Sequence, residues 1–102
     1  MRIIDKAAWH LDGGIEKELV ISHFKTMFEW LDNGGLLTAE GKEIRDEELY
    51  SEASINEKVV NEDGMMFFES CYSDYISKIG FGEDIGAQIL EELYQKYLGR
   101  RN

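Results

Sequence analysis

Apolar residues recur along this 102-residue chain at steps of three and four, the spacing that places side chains on one face of an α-helix. The clearest stretch is 61–79, where Phe68, Tyr72, Tyr75 and Ile79 follow one another at steps of four, three and four. This stretch has the densest apolar content in the chain, so it is predicted to form a long helix at the centre of the core.

The same periodicity predicts three further helices, at residues 15–31, 39–50 and 84–98. Thr38 and Asn61 are residue types that cap helix N-termini, so each marks a helix start. The glycine-containing segment 80–82 is predicted to end the long helix. The helix at 15–31 is apolar round most of its girth, which predicts neighbours on two of its sides.

The N-terminal region is ambiguous, and residues 1–14 are predicted to form an arm and a turn. Ile3 and Ile4 favour a short strand, whereas the Lys-Ala-Ala-Trp segment that follows favours helix. We expect a short helical or irregular arm with Trp9 packed on the core.

Two six-residue segments resemble each other: LLTAEG at 36–41 and VVNEDG at 59–64. Each consists of an apolar pair, a capping residue, two further residues and a glycine. We interpret them as two independent uses of the same helix-start chemistry, because the similarity does not extend to the roughly 20 residues of a true repeat.

These elements predict a mostly α-helical single domain over residues 1–102, a small bundle of about four helices. Residues 51–57 are predicted to be a polar loop, and 99–102 a loose C-terminus. The apolar pairs at 36–37 and 59–60 leave room for a very short two-stranded β ribbon.

Charge narrows the choice of partner. Eleven basic and 21 acidic residues give a net charge of −10, and the acidic excess is spread over the whole chain. Binding to nucleic acid or to an anionic membrane is disfavoured, because both depend on clustered Lys and Arg. A basic protein is favoured as a partner, since a field of this sign steers it in. The alternative is that the acidity serves only solubility.

Other bulk features indicate the compartment. A single cysteine, Cys71, excludes an internal disulfide and fits a reducing environment. Apolar runs are too short to span a membrane, and Asp5 and Lys6 interrupt the one at the N-terminus, so no signal peptide is expected. A cytoplasmic location is the expectation.

No pattern of catalytic or metal-ligating residues stands out. His10 and His23 lie thirteen residues apart, unlike the pairs three or four apart that build metal sites on a helix. Cys71 lies in mid-helix and is expected to be a buried, inert thiol. We therefore expect no enzyme, no metal and no cofactor. The alternative is a small-molecule or enzymatic site around Trp9, His10 and Asp12, beside a flexible Gly-Gly turn.

Two surfaces are candidates for partner binding. The first is acidic and consists of Glu43, Asp46, Glu47, Glu48 and Glu52. The second combines aromatic and acidic side chains, namely Tyr50, Glu69, Tyr72, Asp74 and Tyr75. Tyrosine beside carboxylate suits the capture of a basic protein surface. The competing interpretation is that Tyr72 and Tyr75 belong to the core.

Small acidic domains without an active site are typical of immunity proteins that neutralise toxins. The sequence therefore favours a protein-binding inhibitor of a basic toxin or nuclease. The first alternative is a helical structural or regulatory module that self-associates, for example as a homodimer, through the apolar girth of the helix at 15–31.

Overall fold

Five α-helices form in the structure, a computed structural model that describes residues 1–79 and 85–101, with only the backbone at Arg101. In chain order they are α1 (Ala7–Asp12), α2 (Lys17–Asn33), α3 (Ala39–Asp46), α4 (Glu62–Lys78) and α5 (Gly86–Arg101). Two short strands, β1 (Ile3–Lys6) and β2 (Ser54–Asn56), pair antiparallel, and a 3₁₀ turn spans Tyr50–Glu52. The prediction of a mostly helical globule with a short β ribbon is confirmed.

The core is centred on α2 and α4, the two helices with the strongest apolar periodicity. The predicted stripe of α2 is fully buried: Val20, Phe24, Met27, Phe28 and Leu31. On α4 the buried apolar residues are Met65, Phe67, Phe68, Cys71 and Tyr75. Both helices therefore turn their apolar face inward, as the spacing predicts.

The two strands contain an irregularity that positions one side chain. Ile3 pairs with Asn56 and Asp5 pairs with Ile55, so two steps along β1 match one step along β2. An extra residue of this kind is a β-bulge, which bends the strand and re-aims a neighbouring side chain. Asp5 is only 3% exposed, so its carboxylate lies inside the fold.

The two similar segments of the sequence pair with each other. Leu37 and Val60 form an isolated antiparallel bridge. The predicted contact between 36–37 and 59–60 is therefore a single bridge, and it lies outside the sheet of β1 and β2. The Thr38 N–H donates to the Val59 carbonyl and the Asn61 N–H donates to the Leu36 carbonyl, each at 2.9 Å. The starts of α3 and α4 are therefore joined.

Both predicted N-caps of these helices are confirmed. Thr38 Oγ1 accepts from the Gly41 N–H at 3.1 Å, and Asn61 Oδ1 accepts from the Gly64 N–H at 3.0 Å. A Cβ at Gly41 would lie 2.2 Å from the Val59 carbonyl oxygen, so the glycine permits the close approach of the two segments.

Several boundaries differ from the prediction. The arm at 1–14 is ordered as β1 followed by α1, and the polar stretch 51–57 contains the 3₁₀ turn and β2. α3 ends at Asp46, where acidic residues oppose the helix dipole. α5 continues to Arg101, beyond the predicted end at 98.

The predicted stop at 80–82 and the predicted start of the last helix at 84 lie outside the described residues. Among the described helices, none is long and apolar enough to cross a membrane.

Candidate functional site

The first candidate site is an exposed acidic segment that begins in the second half of α3 and continues past its end. We call it the α3 acidic surface, and its members are Glu43, Asp46, Glu47, Glu48 and Glu52. All of these side chains are exposed, as expected from the sequence. Their position at the C-terminus of a helix adds to the negative potential there, because the helix dipole places partial negative charge at this end.

An unusual backbone conformation shapes this surface. Glu48 has φ of 54°, in the left-handed region where helices commonly end with glycine. The Leu49 N–H donates to the Ile44 carbonyl at 3.0 Å, the hydrogen bond that closes a Schellman ending. Leu49 nevertheless remains 43% exposed, so an apolar side chain is accessible between Glu48 and Glu52 in the chain.

Few cations neutralise the α3 acidic surface. Lys25 lies 4.0 Å from Glu48, and Arg45 lies 3.3 Å from Asp46, while Arg45 is also shared with Asp32 at 3.4 Å. The remaining members, Glu43, Glu47 and Glu52, form no ion pair with any residue in the described part of the chain. The surface therefore carries net negative charge that is open to a partner.

Tyr50 was predicted as a partner-binding residue, and this is wrong because its side chain is only 3% exposed. Its ring lies against Phe28 with centroids 5.6 Å apart, and its hydroxyl donates to the Arg45 carbonyl at 3.3 Å. Burial raises the pKa of Tyr50, and the negative charges of Glu29 and Glu48 raise it further. Tyr50 is a core residue beneath the acidic surface.

The side chains of the predicted aromatic and acidic surface do not form one exposed patch. Tyr75 is buried and Tyr72 is half-buried, as the competing interpretation held. The carboxylate of Glu69 accepts hydrogen bonds from Nε and Nη2 of Arg2, and these hold the pKa of Glu69 below its ordinary value. Asp74 lines a shallow cavity of about 380 Å³ together with basic side chains. These carboxylates are therefore accompanied by cations.

Another candidate site, which the sequence did not predict, lies inside the fold. Asp5 from β1, His10 from α1, His23 from α2 and Tyr72 from α4 meet there, and we call this group the Asp5 cluster. His10 Nε2 lies 2.7 Å from Asp5 Oδ2, and His23 Nε2 lies 3.8 Å from the same oxygen. The Tyr72 hydroxyl donates to that oxygen and lies 3.3 Å from His23 Nε2.

Neighbouring groups fix the Asp5 cluster in place. The other carboxylate oxygen of Asp5, Oδ1, accepts from the Lys6 N–H at 2.8 Å. The His23 ring stacks on Tyr75 at 6.0 Å and meets Phe24 edge to face at 5.2 Å. The ring nitrogens and the carboxylate are therefore held by packing from two helices and by a backbone hydrogen bond.

Electrostatics in the cluster favour an ionised carboxylate and a neutral phenol. Burial acts to raise the pKa of Asp5, but hydrogen bonds from His23, Tyr72 and His10 outweigh it, and the pKa falls below its ordinary value. Burial and the adjacent charge of Asp5 raise the pKa of Tyr72 well above the range of an ordinary tyrosine. Tyr72 therefore acts as a hydrogen-bond donor to a carboxylate anion.

The alternative site around Trp9, His10 and Asp12 is not formed as the sequence suggested. Trp9 is 52% exposed, so its predicted packing on the core is wrong; Ala7 takes the buried position, and Lys6 Nζ lies 5.8 Å from the indole ring. Asp12 is exposed, and His10 belongs to the Asp5 cluster. Cys71 is buried, as predicted.

Comparison of the chain with protein-family models, with curated proteins and with solved structures finds no match in any of the three.

Proposed function

We propose that this protein is a protein-binding domain whose α3 acidic surface recognises a basic protein, in the manner of an immunity-type inhibitor that neutralises a basic toxin or nuclease. The observation that carries the proposal is the uncompensated charge of Glu43, Glu47 and Glu52 around the exposed Leu49. Such a surface combines long-range attraction with an accessible apolar side chain.

The backbone at Glu48 supports the same proposal. A glycine in this left-handed position would relieve steric strain, yet the chain places a carboxylate there. Strained residues concentrate at functional sites, where the strain is retained because the conformation has a use. At this position the conformation ends α3 and orients both the Glu48 carboxylate and Leu49 at the surface.

Self-association through α2 is the alternative, and it has less support. The large apolar side chains of α2 are buried or half-buried within the chain, so they leave no apolar face for a second copy.

The test uses the full chain as bait with lysate of its source organism, at low and then high salt. One variant neutralises the surface through Glu43→Gln, Asp46→Asn, Glu47→Gln, Glu48→Asn and Glu52→Gln. A matched variant removes the same number of exposed charges elsewhere, through Asp12→Asn, Glu16→Gln, Glu18→Gln, Glu91→Gln and Glu92→Gln. Asparagine is chosen at Glu48 because it tolerates the left-handed conformation better than glutamine does.

We expect one stoichiometric basic protein to bind the wild type and the matched variant and to elute with salt. At low salt, neutralising the surface should slow its association by roughly 10- to 100-fold, since charge steering acts mainly on that rate. Equal binding by the two variants would contradict the site, and a captured protein that is acidic or insensitive to salt would contradict the proposed chemistry. Inhibition of the captured protein's activity then tests the inhibitor role.

A further inference from the structure

The Asp5 cluster is a hydrogen-bond network that also contains the residue types of a metal centre. Asp5, His10 and His23 each offer one donor atom, and these three atoms lie within 4.8 Å of one another. Both histidines present Nε2, and the carboxylate presents Oδ2. Two imidazoles with one carboxylate form a donor set that zinc and other divalent transition metals use in proteins.

The two separations that involve the carboxylate are close to those of such a site. With zinc bonds of about 2.0–2.1 Å and tetrahedral angles, neighbouring donor atoms lie about 3.3 Å apart. The two measured separations from Asp5 Oδ2, 2.7 Å to His10 and 3.8 Å to His23, fall on either side of that value. Each separation therefore needs to change by only about half an ångström.

A bound cation would stabilise the buried carboxylate further. Asp5 is almost fully buried, and in the part of the chain that the structure describes its only ion-pair partners are His10 and His23. An ionised carboxylate without a cation is costly in an apolar interior. A divalent metal ion between the carboxylate and the imidazoles would add a direct charge partner to the hydrogen bonds that Asp5 already accepts.

We propose that Asp5, His10 and His23 bind one divalent transition-metal ion, with zinc as the first ion to test. Three protein donors leave a coordination position for water or for a further ligand. Tyr72 and the Lys6 N–H, which donate to the carboxylate, hold it in orientation as outer-shell partners do in metal sites. The His10 side chain is 20% exposed and gives the ion a path from solvent.

The test uses the full chain without a histidine tag, stripped with a chelator and then titrated with zinc in competition with a chromogenic chelator. We expect one zinc ion per chain. Cobalt(II) should give visible absorption bands of a four- or five-coordinate site with nitrogen and oxygen ligands. Circular dichroism and thermal unfolding of each metal-free variant establish that it is folded.

Single substitutions test which side chains of the Asp5 cluster bind the ion. Asp5→Asn and His10→Gln should each weaken zinc binding by more than about 10-fold, and Tyr72→Phe by about 10-fold as an outer-shell change. Asp12→Asn, an exposed carboxylate on the same helix as His10, should leave binding unchanged. If Asp5→Asn does not fold, His10→Gln decides the result, because His10 lies at the edge of the cluster.

Three results would overturn the proposal. The first is the absence of stoichiometric binding by zinc, cobalt(II), nickel(II) and iron(II). The second is full binding by the Asp5→Asn/His10→Gln double variant. The third is loss of binding when the α3 acidic surface is neutralised while the cluster is intact. None of these results bears on recognition of a basic protein.

Discussion

Two regions of this molecule hold carboxylates under opposite conditions. On the α3 acidic surface five carboxylates face water within ten residues, and few cations accompany them. In the Asp5 cluster a single carboxylate is buried among imidazoles and a phenol. Water and salt weaken each single interaction of the first group, so it acts through the summed field of its charges, whereas every interaction of the second is local and strong.

The difference shows that environment matters more than the number of charges. The surface carboxylates contribute five of the negative charges, yet we expect removal of one to leave the fold intact because water solvates each of them. Asp5 adds one charge to the total, but two histidines and a tyrosine from three helices depend on it. The surface is therefore suited to the recognition of a partner, and the cluster is suited to binding a group at one fixed position.

The largest expected effect comes from removing the buried carboxylate. Asp5→Ala should lower the free energy of unfolding by about 2–4 kcal/mol in the presence of chelator, because it leaves buried donors without their acceptor. Denaturant unfolding of the wild type and the variant measures the difference. A loss below about 1 kcal/mol would mean that the cluster relaxes and that its contacts matter little to the fold.

A smaller effect of opposite sign is expected on the surface. Glu48→Gly should raise the free energy of unfolding by up to about 1 kcal/mol, because it removes a side chain from a left-handed backbone position. The same change should weaken binding of a basic partner. Glu47→Gln, at an ordinary φ beside it, is the control for charge alone and should change stability by less than about 0.5 kcal/mol. Destabilisation by Glu48→Gly would remove the strain argument.

The smallest expected effect is on the pH dependence of stability, and it comes from Tyr50, which lies in the core beneath the acidic surface. Its pKa in the folded state is raised, so the unfolded chain ionises first as the pH rises past the ordinary value of 10.0. Tyr50 therefore contributes stability that is complete below this pH and is lost above it. Stability should fall less steeply between pH 9 and 11 in Tyr50→Phe than in the wild type, and parallel curves would contradict the assignment.

Local patterns in the sequence predicted what depends on local chemistry. The buried stripes of α2 and α4 follow from apolar spacing, and the caps Thr38 and Asn61 follow from side-chain type. The exposed acidic residues around Glu47 were also found, because charged side chains next to a helix end have little chance of burial. Tyr50 was predicted at the surface but is buried, because polar residues next to it in the sequence do not prevent burial of its ring.

Local sequence patterns could not predict the Asp5 cluster. Asp5 and Tyr72 are 67 positions apart, and the two histidines lie on different helices, so the spacing rule for helical metal sites does not apply to them. The bulge in β1 that turns Asp5 inward depends on pairing with β2, a three-residue strand with one buried side chain. The local signal was only a carboxylate directly after the apolar pair Ile3 and Ile4, and this pattern does not identify its partners.

The joined starts of α3 and α4 have a consequence for how the chain opens and closes. Thr38 and Asn61 each cap their own helix, and their backbone amides also bond across to the segment before the other helix. Neither helix start can unravel without releasing amides of the other. The two ends should therefore exchange their amide hydrogens as one cooperative unit, which couples the helix leading to the acidic surface to the helix that carries Tyr72.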